Sequence, residues 1–113
     1  MVLLKVSEKE KEKIEEVMRV LLLPSLADYF RFSFRLALLQ KKSFLSFLEV
    51  FRREKAKKNF ALTLYPTTQE RKYVEVLARN FQRTKTDVYV AILLFPSELY
   101  YKYDLDGKGD RRV

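Results

Sequence analysis

Cysteine and histidine are both missing from the 113 residues. Their absence excludes disulfides, zinc fingers and thiol or imidazole catalysis. Glycine and proline are scarce: three Pro in all, and two Gly, both near the end at Gly107 and Gly109. From Met1 to Tyr103 the backbone therefore meets few breakers, which favours helices joined by short turns. Tryptophan is absent, but nine Phe and seven Tyr in a chain that is 48% hydrophobic supply a core and argue against disorder. A long uncharged apolar run is missing too. The most apolar stretch, Leu21–Leu39, carries Pro24, Asp28, Arg31 and Arg35. Each charge at a bilayer centre costs about 2.5–3.5 kcal/mol, so this stretch does not read as a membrane span. Met1–Val6 is apolar, but Lys- and Glu-rich sequence follows at once where a secretory signal needs an apolar region and a cleavage site. The expectation is a cytoplasmic protein.

Acidic residues are the minority. Lys and Arg number 23 against 15 Asp and Glu, a formal charge of +8. A small protein with that excess is drawn to polyanions, of which nucleic acid is the commonest in a cell. The acids that exist include Glu8, Glu10, Glu12, Glu15 and Glu16, interleaved with Lys9, Lys11 and Lys13. That pattern is a solvated helix face rather than acid–base chemistry. With no Gly-rich phosphate loop and no nucleophile motif, no catalytic residue, metal ligand or cofactor is expected. High Lys and Glu content without Cys is compatible with a thermophilic source.

Periodicity lays out the elements. Val2–Val6 reads as a short strand, and Ser7 marks a helix start. Ile14, Val17, Met18, Leu21 and Leu22 then recur at helical spacing until Pro24. Ser25 suits the cap of a second helix with Tyr29, Phe30, Phe34 and Leu38 on one face. After a polar break at Gln40–Lys42, Ser43–Lys57 is expected as an amphipathic connecting helix. Its signals are a capping-box pattern at Ser46 and Glu49 and a stripe of Phe44, Leu45, Leu48 and Phe51. Phe60–Tyr65 reads as a second strand. Pro66-Thr67-Thr68 opens a helix to Phe81 with Tyr73, Val76, Leu77 and Phe81 inward. Arg83–Thr86 turns, Asp87–Phe95 forms a last helix stopped by Pro96, and Asp104–Val113 is a flexible, solvated tail.

Strand, helix, turn and helix thus occur twice. A shift of 59 residues overlays Ser7 on Pro66, Ile14 on Tyr73, Val17 on Val76, Met18 on Leu77, Ser25 on Thr84 and Asp28 on Asp87. The implied units are residues 1–39 and 59–103, joined by a connector at 40–58 and followed by a tail at 104–113.

This order resembles the ribbon-helix-helix family of DNA-binding regulators. The clearest local match is Ser25–Leu38, with its Ser-x-x-Asp entry and apolar–Arg–apolar alternation; Lys5–Glu8 and Thr63–Thr67 match the strand-to-helix junction less tightly. Two copies in one chain resemble tandem regulators encoded by archaeal viruses. The resemblance implies a mostly α fold with one two-stranded antiparallel β-ribbon, in which both halves of a single chain form a pseudo-dimer. It also implies repressor-like transcription regulation, double-stranded DNA as partner and self-association on DNA. One copy of about 40 residues is too small to stand alone, and a lone strand must find a partner. An antitoxin-like module that also binds a protein, and a DNA-coating nucleoprotein, are the alternatives.

A ribbon in the major groove would present every second side chain to the bases. In the first strand Leu3 and Lys5 face outward if Val2, Leu4 and Val6 face the core. For the second strand, burying Phe60, Leu62 and Leu64 exposes Asn59, Ala61, Thr63 and Tyr65, whereas the strict 59-residue overlay implies the opposite register. The expected base contacts are Lys5, Asn59, Thr63 and Tyr65. Phosphate contacts are expected at the second-helix N-termini, from Ser25 and Leu26 and from Thr84, Lys85 and Thr86, with Lys57 and Lys58 clamping the backbone beside the second strand.

Overall fold

Each half of the chain begins with a strand that has no partner of its own, and the fold forms by pairing the two. The computed structural model describes the backbone of residues 1–112 and the side chains of residues 1–102. Along it run β1 (Val2–Val6), α1 (Glu8–Val20), α2 (Leu26–Leu39), α3 (Lys41–Val50), β2 (Phe60–Leu64), α4 (Thr68–Phe81) and α5 (Lys85–Arg112). The described chain is thus mostly helical, with one two-stranded sheet in which β1 and β2 run antiparallel. The stretch Asp104–Val113, expected as a flexible tail, lies wholly beyond the described side chains, and its backbone as far as Arg112 continues α5.

The ladder pairs Val2 with Leu64, Leu3 with Thr63, Leu4 with Leu62, Lys5 with Ala61 and Val6 with Phe60. Leu4, Val6 and Leu64 are fully buried, while Val2, Phe60 and Leu62 pack partly buried against the same core. This is the register in which Phe60, Leu62 and Leu64 face inward, and it corrects the 59-residue overlay. The structural repeat is 60 residues long up to the first turn. Ser7 and Thr67 both cap a helix through a capping box, with Glu10 and Glu70 reaching back to their main-chain N–H groups. Leu22 and Gln82 both adopt left-handed backbone, with φ of 56° and 54°. The Leu23 N–H donates to the Met18 carbonyl and the Arg83 N–H to the Ala78 carbonyl, each at 2.9 Å. These are the hydrogen bonds of a Schellman helix stop. Pro24 is the extra residue. After it Ser25 and Thr84 cap the next helices, and the offset becomes 59.

The same slip corrects the core of α4. Its buried residues are Val74, Leu77 and Ala78, the 60-residue counterparts of Ile14, Val17 and Met18, while Val76 is 43% exposed and Tyr73 and Phe81 are only partly buried. Leu21 and Leu22, expected inside, are exposed because α1 has already ended at Val20. Leu38 is also exposed, at the edge of the face that α2 buries.

The connector differs most from expectation. α3 starts straight after Gln40 and ends at Val50, so Ser46 sits inside a helix rather than capping one. Phe44 and Leu48 are buried, and Leu45, Phe47 and Phe51 cover the core from outside. Residues 51–59 form neither helix nor strand. A helix there would stack Arg53 over Lys57 and Arg52 over Lys55, and like charges at such spacing oppose helix formation.

α5 is the central element, packed against α1, α2, α3 and α4, and every residue from Val88 to Phe95 is buried. Pro96 does not stop it. A proline inside a helix removes one hydrogen bond and crowds the preceding turn, so surrounding packing has to hold the helix together. Here Tyr29 of α2 anchors the turn before Pro96, its hydroxyl donating to the Leu93 carbonyl, next to the Ile92 carbonyl that the proline leaves without its helical donor. Burial pushes the Tyr29 phenol far above its ordinary value, so it stays a donor.

Replacing Tyr29 by Phe leaves that buried carbonyl without its side-chain donor at almost unchanged volume. The expected loss is about 1–2 kcal/mol, read as a lower denaturant midpoint with an unchanged slope. An unchanged midpoint would show that α5 passes Pro96 without help from α2.

Candidate nucleic-acid interface

Side chains alternate along a strand, so burial of Leu4, Val6 and Leu64 turns their neighbours outward. Lys5, Ala61 and Leu3 are exposed, Thr63 is half-exposed, and Met1 and Tyr65 at one end are each 72% exposed. Under the 60-residue repeat the ladder maps onto itself. Leu3 faces Thr63 at the centre, and the pair Val2–Leu64 exchanges with Leu4–Leu62. Lys5 and Tyr65 are therefore counterparts at opposite ends of the outer face. Asn59 is exposed just before the first paired residue of β2, at the Lys5 end. The structure thus brings Lys5, Asn59, Thr63 and Tyr65 onto one surface. From Asn59 to Tyr65 an extended strand spans about 20 Å.

The second helices of the two halves begin beside this ribbon. Ala27, Phe30 and Arg31 in the first turns of α2 share a cleft with Thr63, Leu64 and Tyr65. Lys85, Thr86 and Tyr89 at the start of α5 share another with Val2 and with Arg71 and Glu75 of α4. Both caps use their hydroxyls locally. Ser25 accepts from the Asp28 N–H at 3.1 Å and donates to the Asp28 carboxylate, and Thr84 accepts from the Asp87 N–H at 3.0 Å. The helices' first bonds are Tyr29 N–H to the Ser25 carbonyl and Val88 N–H to the Thr84 carbonyl. The amides of Leu26 and Ala27, and of Lys85 and Thr86, precede them and point out of the helix ends. The Lys85 ammonium sits 3.6 Å from Glu75 in an exposed pair that a stronger anion can displace.

Lys57 is exposed. Lys58 instead folds onto its own connector, donating to the Glu54 carbonyl at 2.9 Å and the Ala56 carbonyl at 3.0 Å. A clamp on a phosphate from Lys58 therefore has to exchange two carbonyls for the anion.

Sequence reasoning missed Arg53. From the connector, its guanidinium grips the Glu10 carboxylate with two hydrogen bonds of 2.8 and 2.7 Å and also donates to the Lys5 main-chain carbonyl at 2.8 Å. Glu10 meanwhile accepts from the Ser7 N–H at 2.9 Å. One arginine thus fastens the connector to the first turn of α1 and to the outward-reading strand. The bare run Arg52–Lys58 gave no sign of it, because the contact spans 43 residues. Leu3 is expected to face outward but is not among the expected base contacts. It is 55% exposed at the centre of the outer face, where an apolar side chain can meet a thymine methyl. The Lys11 ammonium lies 4.8 Å from the Phe60 ring centre and shields the half-buried end of β2.

Burial by itself would raise the Glu10 pKa, but the Arg53 guanidinium, the Ser7 amide and the charge on Lys58 together hold it below the ordinary 4.5. A carboxyl depressed in the folded state contributes stability above its unfolded value and loses it as pH falls through the folded one. Glu10→Gln preserves the capping geometry but removes the ion pair, whose side chains are only 11–13% exposed. The expected cost is about 3 kcal/mol at neutral pH, with the gap to the unaltered protein narrowing below pH 4.5. Denaturation curves across that range check this; a gap independent of pH would assign the effect to something other than the carboxylate.

The chain matches no protein-family model, no curated protein and no solved structure.

Proposed function

We propose that this protein is a sequence-specific double-stranded DNA-binding transcriptional regulator of the ribbon-helix-helix kind, with the two halves of one chain acting as a pseudo-dimer. The observation that carries the reading is the β1–β2 ribbon, whose ladder is symmetric about Leu3 and Thr63 and whose outer side chains face solvent. A two-stranded ribbon fits the major groove, where each base pair offers a distinct pattern of donors and acceptors. Its roughly 20 Å of outer face matches about six base pairs at 3.4 Å each. Lys5 donates to guanine, Asn59 pairs with adenine, and Thr63 and Tyr65 read from the centre and far end, with Leu3 against a thymine methyl. The helix N-termini at Ser25–Leu26 and Thr84–Thr86 take the flanking phosphates through main-chain amides. Lys57, Lys58 and the +8 net charge supply the long-range attraction.

Counterpart positions differ chemically: Lys5 with Tyr65, and Leu3 with Thr63. The operator is therefore non-palindromic, unlike the sites of symmetric dimers. Linking both halves in one chain also makes pairing of the ribbon independent of protein concentration.

Fluorescence anisotropy on the DNA upstream of its own gene, against scrambled duplex at matched salt, tests this. With about six phosphates neutralised, log affinity should fall against log salt with a slope near −5. Lys5→Ala should cost about 1–3 kcal/mol on the preferred site and flatten the preference, whereas Lys58→Ala weakens all sequences alike. Failure to bind any duplex at low salt refutes the proposal, and equal affinity for every duplex reassigns the protein to DNA coating.

A further inference from the structure

The two halves carry equivalent grooves, and the chain fills only one of them. In the filled groove, between α1 and α5, the connector lies over Ser7, Glu10 and Leu94, with Phe51 and Arg53 lining the same cleft. Arg53 pairs with Glu10 at 2.7 Å, and Glu54 lies 3.6 Å from Lys9. The occupant is thus an extended segment that presents an aromatic ring, an arginine and a carboxylate within four residues.

Applying the repeat takes Glu10 to Glu70 in α4 and Leu94 to Arg35 in α2. Those residues border a second groove, of about 450 Å3, whose apolar wall is Phe34, Leu38 and Tyr73 and whose basic rim is Arg31 and Arg35. Glu70 holds the same capping-box position as Glu10, accepting from the Thr67 N–H at 2.7 Å. No arginine of the described residues reaches it, whereas Glu10 is gripped by Arg53. Leu38 remains 46% exposed. The connector cannot fill both grooves, because its Arg53 and Glu54 are held by Glu10 and Lys9 of α1.

We propose that the α2–α4 groove is a docking site for an extended segment of a partner protein carrying an aromatic residue, an arginine and a carboxylate in close succession. The arginine pairs with Glu70, the ring lies on Phe34 and Tyr73, and the carboxylate meets Arg31 and Arg35. The basic charge that Lys9 supplies on the helix wall of the filled groove sits here on α2, so the occupant's acid turns toward α2. None of these five side chains belongs to the outer face of the ribbon, although Arg31 and Glu70 also line the neighbouring cleft with Thr63 and Tyr65.

The occupant of the filled groove supplies the probe: a blocked synthetic peptide with the sequence of residues 49–57, titrated into the 15N-labelled full chain. Saturable shifts are expected at the amides of Thr67, Gln69, Glu70 and Tyr73, with a dissociation constant near ~1 mM, typical of a short unconstrained segment. Glu70→Gln keeps the capping box and should weaken the peptide at least tenfold; a peptide with Arg53→Gln should lose as much. Shifts confined to α1, absence of saturable shifts, or binding that survives Glu70→Gln would each overturn the proposal. So would concentration-dependent shifts of the same amides without peptide, which assign the groove to a second copy.

Discussion

Two five-residue strands with 53 residues between them depend on each other for pairing, and the rest of the molecule is arranged around that contact. Neither strand has another partner among the described residues, and a lone strand leaves its main-chain groups to water. Once β1 lies against β2, Leu4, Val6 and Leu64 close one side of the core, and α1, α4 and α2 are brought around α5. The pairing also creates the surface on which Lys5, Asn59, Thr63 and Tyr65 meet. Core and candidate interface are two faces of one ribbon, so neither can be altered by a one-residue slip without destroying the other.

The repeat is symmetric in backbone and asymmetric in use. Strand, capping box, left-handed helix stop and second cap recur, with Pro24 as the one extra residue. Side chains then break the equivalence. α5 is buried from Val88 to Phe95 on all sides, because α3 and the connector cover the face that α2 leaves to Arg31 and Arg35. A symmetric dimer would have to treat both faces alike. A single chain is free to spend its connector on one half, and it does so through Arg53.

Arg53 ties three levels together. It neutralises a largely buried carboxylate, reinforces the cap of α1 and fixes the main chain at Lys5. Burying either charge alone would be costly, and pairing them through two hydrogen bonds, with a third from the guanidinium to the Lys5 carbonyl, offsets part of that cost. That pairing also explains why residues 51–59 leave the helix. The chain has to return from the end of α3 to the start of β2, and the side of α1 lies on its path.

Local pattern alone determined the strands, the caps at Ser7 and Ser25 and the aromatic face of α2, because each depends on neighbours a few residues away; it left two registers open for β2 and placed the start of α5 two residues late. It also pointed to an electropositive, largely helical protein with a single ribbon. Where the outcome depended on distant residues, local pattern misled. The length of the repeat, 60 before Pro24 and 59 after it, turned on where α1 stopped, and that moved the buried face of α4 from Tyr73 and Val76 to Val74 and Ala78, with Leu77 common to both. Pro96 reads as a helix end, yet packing and the Tyr29 hydroxyl carry α5 past it. The bond from Arg53 to Glu10 has no local signature at all. Helix caps and alternation are short-range energies written in adjacent residues; continuity through a proline, a charge made safe to bury and a groove left open depend on what the rest of the chain brings alongside.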